Sequence, residues 1–232
     1  MDLTYKKKNI YSSVDAAELK RIFDYCDGYK TFLDNTKTER ESVAHTVAMA
    51  KAAGYKPYAL GNKINKGDKL YYNNRDKGLF LLRAGSADVA KNGVRILVAH
   101  IDSPRLDLKQ VPLFEKSDIA FLKTHYYGGI KKYHWLTIPL ALHGVVILKN
   151  GKKVNVSIGE DAEDPVFYIT DLLPHLSQEL NSKTIAEGFK AENLNLIVGG
   201  IPAPDEDKDA VKKGALALLN QKYGIIEEAF LS

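Results

Sequence analysis

An apolar run that stops abruptly at a histidine governs how this chain can be arranged. Residues 94–108 read VRILVAHIDSPRLDL. Ile96, Leu97, Val98 and Ala99 are continuous and apolar, which predicts a short strand buried on both faces. The run ends at His100 and Asp102, and Ser103-Pro104 breaks it. Side chains alternate along an extended chain, so His100 and Asp102 share a side. An imidazole and a carboxylate at the carboxyl end of a buried strand occupy the place where open α/β sheets bind ligands. The chemistry points to a metal site. His100 offers a neutral ring nitrogen to a divalent ion, and Asp102 orients the imidazole or raises its basicity from behind. A hydrogen-bonded structural histidine is the competing reading of the same triplet.

The chain has 232 residues, enough for one large domain or two small ones. No apolar run reaches the length of a bilayer span. The opening MDLTYKKKNIYSS has a basic patch with no apolar segment behind it, unlike a secretory signal. Cys26 is the single cysteine, which excludes an internal disulfide and a Cys-rich zinc site. Together these features lead to the expectation of a cytoplasmic protein. The balance of 33 basic and 29 acidic residues is too even for a nucleic-acid partner. The lysine pairs are scattered, with no spaced aromatics beside them to stack bases.

Two capping boxes open helices, at Asp15/Glu18 and Thr38/Glu41. Apolar residues from Leu19 to Leu33 recur at helical spacing, and Cys26 falls on that stripe, which predicts a buried, inert thiol. NNRDKG at 73–78 predicts a hairpin between strands at 69–72 and 79–83. Residues 109–115 contain a proline and fit an edge strand. Asn150-Gly151 predicts a second hairpin between 144–148 and 154–158. Further strands are expected at 166–170 and 194–198. Helices are expected at 171–180 and 209–223, the second stopped by Gly224. The terminal IIEEAFLS is expected to begin a strand.

LVAHIDSPRLDLK followed by LKTHYYGGIKKYHWLTIPLALHG closely resembles the aspartyl aminopeptidase family of cytoplasmic zinc metallopeptidases. TDLLPHL at 170–176 and LLNQKYGI at 218–225 are similar to it as well. The resemblance implies an α/β fold: part of a layered metallopeptidase catalytic domain with an inserted β-rich association domain. It implies a boundary scheme of 1–106 for the catalytic part, 107–226 for the insertion and 227–232 for the start of the return. It implies a two-metal zinc enzyme, with manganese or cobalt as possible substitutes, that removes N-terminal, often acidic, residues from peptides. It also implies a homo-oligomer, dimer-based and dodecameric in the family.

Residue by residue, His100 matches the family's first metal ligand, and Asp102 the carboxylate that supports the site. His175 or His125 is a candidate to reach the active site of a neighbouring subunit and touch substrate there. The remaining ligands and the general base in that family follow the inserted domain and have no counterpart in this sequence. Glu227-Glu228 lies too early to be the family's Glu-Glu pair and reads as a polar strand flank. The resulting expectation is a zinc-dependent aminopeptidase lacking most of its ligands, nearly inactive alone and prone to self-association. The other reading is a non-catalytic oligomerisation protein derived from that family.

Overall fold

The structure, a computed structural model, describes residues 3–230. It divides into two compact units, Met1–Asp102 and Ser103–Ser232.

The first unit opens with α1 (Ala16–Asp34) and α2 (Glu39–Ala52). Asp15 caps α1 by accepting from the Glu18 N–H at 2.8 Å. Thr38 and Glu41 form the full capping box of α2. A small sheet follows in the order β1 (Lys56–Pro57), β2 (Lys69–Asn74), β3 (Gly78–Arg83), parallel and then antiparallel. The expected hairpin forms, with Arg75 and Asp76 both at positive φ and Asn73 Oδ1 accepting from the Asp76 N–H. That pair of left-handed residues matches the right-handed twist of the flanking strands. A four-residue helix, α3 (Val89–Asn92), closes at Gly93. Among the described residues only Ser42, Val43, Ala50 and Tyr71 are buried in this unit. Its core is the thin seam where α2 meets β2.

The second unit has a fuller core. Its sheet runs β4 (Arg105–Lys116), β5 (Ile119–Tyr127), β8 (Leu196–Gly199), all antiparallel. β4 is an edge strand, as its proline requires. Pro112 sits at a register shift, beside Val111 at φ 46°, so the missing N–H costs no regular ladder bond. β6 (Leu142–Ile147) and β7 (Lys153–Ile158) form the second expected hairpin, with Asn150 and Gly151 in the connection. The strand expected at 166–170 does not form; that stretch makes only single bridges, Phe167 to Leu140 and Tyr168 to Ile197. A one-turn helix, α4 (Ile185–Gly188), precedes β8, and α5 (Ala210–Tyr223) follows it. Gly224 ends α5 in the left-handed conformation that favours glycine. Leu113, Leu122, Ile158, Phe167, Leu196 and Val211 belong to one continuous apolar cluster. Thr124 Oγ1 donates to the Leu194 carbonyl inside it, so this buried hydroxyl is satisfied.

Four other sequence expectations are corrected. Residues 93–104 form no strand; a strand exists by pairing, and no described segment pairs with this one. Cys26 is exposed, because α1 buries none of its residues despite its apolar stripe. Residues 171–180 form turns and one 3-10 turn at Gln178–Leu180 rather than a helix. Glu227–Phe230 is a 3-10 helix, not the start of a strand, and residues 231–232 of that expectation lie outside the described residues.

Candidate functional site

His100 and Asp102 are held together by a local bond that extended backbone permits. His100 Nδ1 faces two acceptors, the Asp102 carbonyl at 2.9 Å and Asp102 Oδ1 at 3.1 Å. Two acceptors at one nitrogen require that nitrogen to carry the proton. The lone pair then lies on Nε2, which makes no hydrogen bond to the described residues. The imidazole is 83% exposed and the Asp102 side chain 38%. This is the arrangement of a histidine prepared as a nitrogen donor with a carboxylate behind it. Downstream the chain is anchored at once. The Arg105 guanidinium lies 4.2 Å from the centre of the Tyr127 ring, and its Nε donates to Asp107 Oδ1 at 2.7 Å.

The other sequence candidates lie in the second unit. His125 is exposed on β5, opposite Asp107 on β4 and stacked on Tyr126 at 5.4 Å. His175 is exposed in the turn after Pro174. Glu192 was not legible as a neighbour of His125, because its partner Lys109 is 83 positions away. Lys109 donates to it at 2.7 Å and holds its carboxyl below the usual carboxylate range, with Lys123 and His125 adding to that field. Glu227 and Glu228 pair instead with Lys212 and Lys149, in keeping with a polar flank.

A zinc that activates water takes about three protein donors and keeps one position open. His100 has a single such donor atom to offer, Nε2. No group of three or more His, Cys, Asp and Glu that could hold a metal occurs among the described residues. The described residues therefore do not make a zinc site by themselves. No described helix is long and apolar enough to cross a membrane.

Comparison with known proteins places the chain as a whole. The whole chain is 47% identical to a probable M18 family aminopeptidase 1 of Clostridium acetobutylicum, of which it covers 50%. The crystal structure of the M18 aminopeptidase of Thermotoga maritima superposes with a TM-score of 0.91 at 43% identity, over 99% of this chain and 49% of that one. The mApe1 dodecamer of Saccharomyces cerevisiae shares the fold at a TM-score of 0.63 and 19% identity. The chain thus spans about half the length of the relatives it matches. Residues 32–232 match the family model described as aminopeptidase I zinc metalloprotease. The chain belongs to that family, M18.

Proposed function

We propose that this chain supplies His100 and Asp102 to the active site of a zinc aminopeptidase whose remaining ligands and general base lie in polypeptide beyond its 232 residues. The family match over residues 32–232 carries the reading. The hydrogen bond at Nδ1 supports it, since it leaves Nε2 as the donor atom. His100 acts as one metal ligand, Asp102 positions it, and the substrate is a peptide with a free, acidic N-terminal residue. His125 or His175 contacts substrate in a neighbouring subunit of a homo-oligomer. The dodecameric state of the distant yeast relative agrees with such an assembly. Manganese or cobalt replaces zinc with activity retained, and the enzyme works in the cytoplasm.

The lack of a three-residue metal group among the described residues favours a second reading, a non-catalytic oligomerisation protein. One assay separates the two. The chain is purified alone and after co-expression with the half of the Thermotoga maritima enzyme that it does not cover. Both are given zinc, manganese or cobalt and assayed on aspartyl and glutamyl chromogenic amides. The enzyme reading expects turnover only in the co-expressed sample, lost in His100→Ala. A metal-loaded complex with no turnover supports the second reading.

A further inference from the structure

Two Asn-Gly pairs occur in the chain, Asn92-Gly93 and Asn150-Gly151. Such a pair carries its own chemistry. The glycine nitrogen, with no Cβ on its residue to obstruct it, can attack the side-chain amide of the asparagine before it. What restrains the two groups decides whether attack occurs, and the restraint differs between the two positions. At Asn92 both groups are tied into α3. The Gly93 N–H donates to the Val89 carbonyl at 2.8 Å, and Asn92 Nδ2 donates to the Asp88 carbonyl at 3.0 Å. Attack there requires α3 to unwind first.

At Asn150 the pair stands exposed in the connection between β6 and β7. The Gly151 N–H is held by one bond, to the Leu148 carbonyl at 2.8 Å. Nδ2 of Asn150, the group that must leave, makes no hydrogen bond to any described residue. The side-chain oxygen accepts from the Lys152 N–H at 3.0 Å. That bond polarises the amide carbonyl and faces the negative charge that grows on the oxygen during attack. Lys149 and Lys152 flank the pair, and their charge favours loss of the proton from the Gly151 nitrogen. A Cβ at Gly151 would meet nothing within 4 Å, so no described element packs over the turn on that side.

We propose that Asn150 is a site of spontaneous modification, converting through a succinimide to aspartyl and isoaspartyl forms. The Gly151 nitrogen forms a bond to Cγ of Asn150, the Cγ–Nδ2 bond breaks, and the proton from the glycine nitrogen leaves with Nδ2 as ammonia. Water then opens the ring. Addition at Cγ restores the ordinary backbone with a carboxylate in place of the amide. Addition at the backbone carbonyl leaves the chain running through Cγ, the isoaspartyl form. Either product places a negative charge next to Lys149. The isoaspartyl form also inserts one carbon into the turn. The bonds that close the turn, Gly151 N–H to the Leu148 carbonyl and Leu148 N–H to the Lys152 carbonyl, depend on its present length. The hairpin is then loosened at its closing pair, Ile147 and Lys153.

The test incubates the full native chain in mildly alkaline buffer without added metal. Mass spectrometry of the digest follows both Asn-Gly peptides, with synthetic isoaspartyl peptides as standards. The expected result is a mixture at Asn150 in which the isoaspartyl form predominates, formed at least tenfold faster than any product at Asn92. In urea the two rates should become comparable, because the bonds that distinguish the positions are gone. Asn150→Gln should slow the reaction at that position at least tenfold, since its longer side chain closes a less favourable ring. The aged chain should exchange amide hydrogens faster than the fresh chain at 147–153. An Asn150 that stays intact in the native chain while it reacts in urea would overturn the proposal. So would native reaction at Asn92 that matches or exceeds that at Asn150, or an aspartyl product with no isoaspartyl form, which would mean direct hydrolysis without the ring.

Discussion

Glu115 on β4 accepts a hydrogen bond from the backbone N–H of Lys212, 97 positions later, at 2.8 Å. It does the work that the residue before α5 does not. Asp209 stands at that N-cap in a left-handed conformation and makes no side-chain cap bond. A carboxylate from a neighbouring strand thus satisfies an open N–H in the first turn and faces the positive end of the helix dipole. Glu115→Ala is expected to destabilise the second unit by about 1–2 kcal/mol, the range for a lost cap with partial burial. Urea unfolding followed by circular dichroism measures it, and an unchanged midpoint would show that water replaces the cap at no cost.

α5 also passes very close to the chain before it. A Cβ built at Gly214 would lie 2.7 Å from the Ile201 carbonyl oxygen and 3.3 Å from the Ala203 nitrogen. Alanine is better than glycine in a helix interior by about 1 kcal/mol. The contact is with backbone, which cannot rotate aside, so crowding wins. Gly214→Ala is expected to cost about 1–3 kcal/mol net. A rise in melting temperature would mean that the 201–203 segment yields freely.

These two contacts show where sequence reading works and where it stops. The N-cap at Asp15, the capping box at Thr38, the NNRDKG hairpin, the Asn150-Gly151 hairpin and the stop at Gly224 all depend on residues within a few positions of one another. They were legible for that reason. Glu115 with Lys212, Glu192 with Lys109 and Gly214 with Ile201 depend on the folded path and have no local signature. The 94–99 run departs from its expected strand for a related reason. Its composition reports the environment that suits it, whereas strand formation needs a neighbour that the described residues do not contain. His100 and Asp102 were legible as a pair because two-residue spacing in extended backbone brings their side chains together without any ladder.

Asp164 gives the second unit a pH dependence whose sign can be stated. Lys222 donates to its Oδ1 at 2.6 Å and the Gly159 N–H to its Oδ2 at 3.0 Å. These bonds, the lysine's first, hold the carboxyl below its ordinary value of 3.8. A depressed folded pKa means that the stabilisation is complete above 3.8 and is lost as pH falls through the lower folded value. The same bond raises Lys222 above its ordinary 10.5, so that contribution is complete below 10.5 and lost as pH rises through the folded value. Asp164→Asn should flatten both edges of a melting-temperature profile run from pH 2.5 to 11. A variant as steep as the parent at the acid edge would assign that edge to other carboxylates.

The exposure of Cys26 is testable in minutes. α1 presents it to solvent, so the native protein should consume one equivalent of a disulfide reagent such as DTNB without denaturant. Labelling that appears only in guanidinium would restore the buried thiol expected from the helical stripe.

Asp102 provides a test of the site that does not depend on turnover. Its carboxylate and carbonyl both accept from His100 Nδ1, which fixes the tautomer and directs the lone pair to Nε2. Asp102→Asn keeps the size and the carbonyl contact but removes the negative charge behind the ring. Loss of such an outer partner typically weakens metal affinity by about 10–100-fold. In the complex with the complementary half, competition against a chromophoric chelator should show a loss in that range for Asp102→Asn and a larger one for His100→Ala. In the chain alone the parent and both variants should bind zinc weakly, because one histidine falls two donors short of a site. Equal zinc affinity of parent and His100→Ala in the complex would remove His100 from the ligand set. Equal affinity of parent and Asp102→Asn would leave His100 a ligand and reduce its neighbour to a turn residue.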